Sequence, residues 1–209
     1  MDTNAVRDSR FERLALGAIA GPVIFTAAWL VLGAVSRGYT AWGSYVPYSP
    51  IHQTVSGLGL GATAPFMNAA FIANGLLTMA GVIAIFTTVD GLSRRARWAC
   101  IVLLGAPAVG SVVDGLFTLE SFLPHFAGFA LVLLAIPGFV VAGLALRQRW
   151  LVVAAPITLA LTVLFFATFT PTLAGTQTGI AGITERLLIL EIQACYAALA
   201  WTFIRRFDL

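Results

Sequence analysis

The sequence predicts an all-α fold, a polytopic bundle of six transmembrane helices, on three observations. Apolar residues make up 59% of the 209, while Asp, Glu, Lys and Arg together make up 10%, against roughly a quarter charged in soluble domains. The apolar residues gather in six stretches, at about 14–35, 67–89, 98–119, 125–146, 151–170 and 184–204. Each is near the roughly 20 residues that cross a bilayer core of about 30 Å as a helix. The charges fall between the stretches, so the main solvent is a membrane. A soluble enzyme, a secreted disulfide domain and a disordered tail are excluded. An isolated open strand leaves its backbone unsatisfied in lipid, which makes helix the forced choice.

Residues 1–209 read as a single six-helix transmembrane domain. The first stretch, Leu14 to Val35 behind Arg7, Arg10 and Arg13, exceeds the roughly 7–15 residues of a signal-peptide core and is read as a retained span. Its Gly17-x-x-x-Gly21 permits close approach of a second helix. The outer loop 36–65 is longer than packed spans need, which predicts a lid or a partly inserted segment. Gly57, Gly59 and Gly61 in it follow no strand and precede no Lys, so they read as flexible backbone rather than a phosphate loop. The second span carries Asn74 and Thr78 four residues apart. Asp114 lies in the third, His125 opens the fourth after Pro124, and Glu185-Arg186 opens the sixth, which also holds Glu191. Pro22, Pro107, Pro137 and Pro156 fall in four different spans and predict kinks. Cys100 and Cys195 sit inside spans as small hydrophobes and form no metal or redox motif.

The arginines set the orientation. Arg7, Arg10, Arg13, Arg94, Arg95, Arg97, Arg147, Arg149, Arg205 and Arg206 flank one side, and only Arg37 and Arg186 the other. The positive-inside rule then gives a multi-pass protein of the cell membrane with both termini cytoplasmic. Trp98, Trp150 and Trp201 would mark the inner boundary, with Trp42, Tyr39, Tyr45 and Tyr48 at the outer one. The net charge of +3 is Arg in short groups at span ends, with no Lys, so nucleic acid is not an expected partner.

The residues a span should not contain point to a site. Ser111, Asp114, Thr118 and Ser121 recur on one helical face, and Glu191 shares a face with Thr184, Cys195 and Thr202. At 1.5 Å per residue, Asp114 lies about 9 Å below Glu120, Glu191 about 9 Å below Glu185 and Asn74 about 12 Å below Phe66. Three helices thus place polar groups in one layer, where a charge is costly unless it faces the interior and finds a partner. The expectation is a shared polar pocket opening outward, rimmed by His125, Glu120, Glu185, Arg186 and His52. Each residue also has a structural reading: Asp114 or Glu191 pairing with Arg186, His52 and Glu120 as surface groups, His125 as a helix cap.

The chain also resembles the six-span prokaryotic membrane proteins grouped as domain of unknown function 998, over essentially its whole length. The resemblance rests on the Ser-Gly-Leu-Gly stretch running into Pro65-Phe-Met-Asn68 and on Phe71 through Gly75. Asp114, His125 and Glu185-Arg186 are similar in placement too. It implies six spans, and it brings no activity and no catalytic residues.

Three function classes follow, in this order. The first is a membrane-embedded acid–base enzyme, since a carboxyl in a dry pocket can hold a proton near neutrality. Asp114 and Glu191 are its candidate acid and base, with His125 as shuttle. Asn74, Ser111, Thr118, Phe71, Phe117, Glu120, Glu185, Arg186 and His52 are its candidate binding residues. The substrate would be a lipid, isoprenoid or similar amphiphile; Phe71, Phe117, Phe122, Phe126 and Phe129 would line its path or face a cationic intermediate. The second is proton-coupled transport, with no acid in the inner half and no 3+3 repeat to favour it. The third is a noncatalytic membrane partner or sensor. His52, His125 and Asp114 could supply three metal ligands, but no H-E-x-x-H or Cys/His cluster accompanies them, so no metal and no cofactor is assigned. Membrane lipids are the expected surroundings; no oligomeric state is assigned.

Overall fold

The computed structural model describes residues 10–173 and 179–205. Arg7 and Arg206, counted above toward orientation, lie outside the described residues. Within them six helices are long and apolar enough to cross a membrane: Arg10–Val35, Gly61–Thr88, Arg94–Leu116, Phe122–Leu146, Arg149–Phe169 and Ala181–Ile204. They fall on the six apolar stretches, with ends shifted by a turn or so. The protein is an all-α, multi-pass membrane protein.

The regular elements are α1 (Gly17–Val35), β1 (Gly38–Ala41), β2 (Ser44–Pro47), α2 (Ala64–Thr88), α3 (Arg94–Leu116), α4 (Phe122–Val132), α5 (Ala135–Leu146), α6 (Arg149–Leu173) and α7 (Ala181–Ile204). The fourth span is divided into α4 and α5, and Pro137 is the reason. Proline has no N–H for the carbonyl of Leu133, and its ring crowds that oxygen. The chain responds with tighter bonds, Leu134 N–H to Leu131 O at 3.1 Å and Ile136 N–H to Leu133 O at 3.1 Å. Pro22, Pro107 and Pro156 leave their helices unbroken.

Each span packs on the next in sequence, and α7 returns to α1, so the six close a ring. Small residues set the α1–α2 crossing: a Cβ on Gly21 would sit 2.8 Å from the carbonyl oxygen of Asn74. Toward the end that carries Arg94, Arg147 and Arg205 the ring is filled by Val82, Phe86, Leu104, Phe139 and Leu151, all fully buried. This half is dry.

The opposite end is closed by residues 36–63. Here β1 and β2 form an antiparallel hairpin with Tyr39 opposite Val46. Its turn residues Trp42 and Gly43 both have positive φ, 47° and 78°, as a tight hairpin turn of matching twist requires. Two short 3-10 turns follow, Val55–Gly59 and Gly61–Thr63. Val55 and Leu58 are fully buried among Phe25, Trp29, Met67 and Phe71, so this segment is a plug set into the ring. Trp42 and Tyr45 stay exposed, whereas Tyr39 is buried against Ala41 and Leu60 and is no boundary anchor.

Candidate functional site

The third span ends earlier than the sequence suggests, and this shapes the site. Helix α3 stops at Leu116, and Phe117 turns to extended backbone at φ −117°, ψ 107°. The expected face of Ser111, Asp114, Thr118 and Ser121 therefore ends at Asp114; Thr118 and Ser121 lie beyond the helix. The Phe117 ring is exposed, but its carbonyl, freed from the helix, meets Nδ1 of His125 at 3.0 Å. A carbonyl only accepts, so Nδ1 carries the hydrogen and the neutral ring keeps its lone pair on Nε2. His125 does not open its span; it lies buried within the first turn of α4. Its Nδ1 also stands 3.5 Å from Oδ1 of Asp114.

Asp114 is buried, and its Oδ1 has no hydrogen-bond partner. Room for this carboxyl exists because residue 128 is glycine. A Cβ there would overlap Oδ1 and stand 3.0 Å from Cγ. The α3–α4 crossing is thus built around the Asp114 side chain.

Asp114 lines a cavity of about 80 Å³ between α1, α2, α3, α4 and α7. At about 10–15 Å³ per water this holds several waters or a small ligand. A directed chain of hydrogen bonds forms one wall. Thr78 donates to Asn74 Oδ1 at 3.5 Å, Asn74 Nδ2 donates to Ser111 Oγ at 3.0 Å, and Ser111 donates to the Phe71 carbonyl at 2.8 Å. Phe71 faces the cavity beside Phe25, their ring centroids 4.6 Å apart. Three candidate residues, Asn74, Ser111 and Phe71, therefore meet Asp114 in one space.

The sixth span contributes a different carboxyl from the one expected. Glu185, Ile189, Gln193 and Tyr196 form a stripe of α7 along the cavity. Glu191 sits six residues past Glu185, about 240° round the helix. It faces α6, accepting from Thr158 Oγ1 at 2.7 Å and from Cys195 Sγ at 3.5 Å. Glu191 and Asp114 do not share the void; Glu185 and Asp114 do. The expected pairing of Glu191 with Asp114 fails because Glu191 lies on the α6 face of its helix.

Glu185 and Arg186 both hold the plug. Glu185, buried, accepts the backbone N–H of Val55. Arg186 turns to the loop: Nη1 donates to the carbonyls of Pro50 at 2.9 Å, Gln53 at 3.0 Å and Gly182 at 2.7 Å, and Nη2 donates to the Tyr48 hydroxyl. Its guanidinium carbon lies 5.4 Å from the centre of the Trp29 ring. Arg186 thus pairs with neither Asp114 nor Glu191. Burial pushes the Tyr48 phenol up against the opposing pull of Arg186, and pushes Tyr39 up to about 12, with repulsion from Tyr48 and Glu185 adding. Both phenols remain protonated donors at neutral pH.

Two rim residues lie elsewhere. His52 Nδ1 meets the Gly179 carbonyl at 2.5 Å, tying the loop to the start of the last span. Glu120 is exposed and accepts the Trp42 N–H at 3.1 Å, which fixes the hairpin tip. Among the described residues no three of His, Cys, Asp and Glu come together to hold a metal ion, because His52 is turned away from His125 and Asp114.

Gln193, Ser56 and Tyr196 line the cavity without having been singled out from the sequence. The i, i+4, i+8, i+11 spacing of Glu185, Ile189, Gln193 and Tyr196 was the available signal for two of them. Gln193 accepts from Thr26 at 2.8 Å, and Tyr196 donates to the Leu104 carbonyl at 2.6 Å. Ser56 comes from the plug and had no periodicity to reveal it.

A family model described as Protein of unknown function (DUF998) matches residues 19–202, a range that takes in every residue lining the cavity. No curated protein and no solved structure matches the chain.

Proposed function

We propose, for a chain that belongs to the Protein of unknown function (DUF998) family, an intramembrane acid–base enzyme acting on an amphiphile. The carrying observation is the approach of His125 to Asp114, 3.5 Å apart and both buried, with Glu185 lining both the cavity at Asp114 and the recess at His125. The Phe117 carbonyl fixes the tautomer, so His125 Nε2 would take a proton from the substrate. The Asp114 carboxylate would stabilise the imidazolium so formed, as an orienting acid does for a histidine base. The imidazolium would then return that proton to the departing group, and Glu185 would hold the substrate as an acceptor. The apolar walls suit the aliphatic part of a lipid, isoprenoid or similar molecule. The Arg-rich end would lie in the cytoplasm of a cell-membrane protein, with the plug outside.

A transport route would have to continue past Tyr196. Below its bond to Leu104 lies the dry core of Val82, Phe86, Phe139 and Leu199, which favours chemistry at the cavity over passage through it.

Mass spectrometry of lipids and small amphiphiles from membranes holding the wild type, Asp114→Asn or His125→Gln tests this reading. We expect a species altered by the wild type and a loss of conversion of about 100-fold or more in each variant, the scale of positioned acid–base groups. Conversion that persists in both folded variants would overturn it. So would proteoliposome flux that depends on the same residues with no chemical change.

A further inference from the structure

A second, smaller recess joins the main cavity, and its chemistry narrows the ligand class. It measures about 20 Å³ and shares Glu185, Ser56 and Phe129 with the larger space. One water needs about 10–15 Å³, so the recess takes one group of water size. Its walls are phenyl rings: Phe129, Phe165 and Phe169 with Phe126. Phe165 and Phe169 stack at 5.2 Å, and Phe129 lies 5.4 Å from Phe165.

The polar groups at this recess can all accept a hydrogen bond. Glu185 offers carboxylate oxygens beyond the one that Val55 uses. His125, with Nδ1 committed to Phe117, has its lone pair on Nε2. The hydroxyls of Thr54 and Ser56 also accept. Arg186, the neighbouring cation, is turned to the loop carbonyls. Two buried carboxyls, Asp114 and Glu185, thus have near them one guanidinium whose Nη groups are bonded to the loop and to Gly182, and an unpaired buried carboxylate is costly. An ammonium has three donors and no acceptor, and phenyl faces attract it.

We propose that the ligand of this site carries a primary ammonium group, seated in the phenyl-lined recess against Glu185 with its apolar body in the larger cavity. The inference rests on the site as read above. The group could belong to a free alkylamine or to the head of an aminolipid. A trimethylated nitrogen is too large for the recess.

Calorimetric titration of the purified protein in phosphatidylcholine nanodiscs tests it, with n-hexylamine, hexan-1-ol and hexyltrimethylammonium as probes. Hexylamine, protonated at neutral pH, should bind about tenfold or more tighter than either of the others, the worth of a charged hydrogen bond. Glu185→Gln keeps an acceptor for the Val55 N–H and should lose about that tenfold. Phe165→Leu should weaken hexylamine about threefold and leave hexanol unchanged. Phosphatidylethanolamine in the nanodisc, if it competes, identifies the aminolipid source; if it does not, the free amine is the source. Equal binding of hexanol or of the trimethylated probe, or an unchanged Glu185→Gln, would overturn the inference while the acid–base reading stands. Conversion persisting in both Asp114→Asn and His125→Gln would sink that reading and leave amine binding untouched.

Discussion

The two halves of the bundle use their interiors in opposite ways. Around Phe86, Leu104, Phe139 and Leu151 the ring is filled with apolar side chains, and packing is its main source of stability. Asp114, His125, Glu185 and Arg186 are buried too, yet each needs a polar partner from another segment. Arg186 finds loop carbonyls more than 130 positions away in sequence, and Glu185 the Val55 N–H 130 positions away. Asp114 keeps an unpartnered oxygen, and Arg186 an unpartnered Nε. Buried polar groups are tolerated when satisfied and costly when not. The polar half therefore carries a cost that packing does not require, and this is where a ligand has something to contribute.

The sharpest contrast comes from one large deletion in each half. Phe139→Ala opens a void in the dry core and should cost about 3–5 kcal/mol, with plug proteolysis and ligand binding unchanged in the protein that remains folded. Arg186→Met strips partners from three carbonyls and the Tyr48 hydroxyl and should cost about 3 kcal/mol. That loss should come with faster cleavage in residues 36–63, measured by limited proteolysis and mass spectrometry. Equal cleavage rates in the two variants would erase the distinction.

A smaller effect comes from the glycine behind the carboxyl. Gly128→Ala drives a Cβ into Asp114 and should cost about 1–3 kcal/mol of overpacking. Its conversion of substrate should fall as far as that of Asp114→Asn, because the carboxyl is displaced from His125. Unchanged stability and activity would show that Asp114 does not lie against α4.

The smallest effect is in the plug itself. Tyr39 has an ordinary phenol value near 10 when unfolded and is held up to about 12 when folded. The folded state keeps its proton where the unfolded state has lost it. Stability is then full below pH 10 and falls as pH rises toward 12. Tyr39→Phe should flatten the decline in Tm between pH 10 and 12; an unaltered slope would place Tyr39 in water.

Sequence made the spans legible because their length and apolarity answer directly to bilayer thickness. It also flagged Pro137, where the fourth span divides. Helical rise, fixed at 1.5 Å per residue, also put Asn74 and Asp114 near one level, and both line the cavity. Which face each residue presents was less accessible. Glu185 and Glu191 are both acids in the first half of α7, about 240° apart round it, and which of the two faces the cavity shows only once Thr158 on α6 is seen to hold Glu191. The helix end at Leu116 moved Thr118 off the Asp114 face and turned Phe117 from a lining ring into a carbonyl acceptor. The plug was anticipated as a long insertion, but its seat was hidden. Val55 and Leu58 sit in no α-helix of their own, and their place is set by Phe25 and Trp29 of α1 and Met67 and Phe71 of α2, with Glu185 of α7 accepting the Val55 N–H.

Double-mutant cycles on thermal or denaturant stability test the central geometry most directly. Asp114→Asn combined with Glu185→Gln should depart from additivity by about 0.5 kcal/mol or more, as groups sharing one cavity do. Asp114→Asn combined with Glu191→Gln should add within about 0.3–0.5 kcal/mol, because Glu191 belongs to the α6 contact. Coupling to Glu191 with none to Glu185 would contradict the site described.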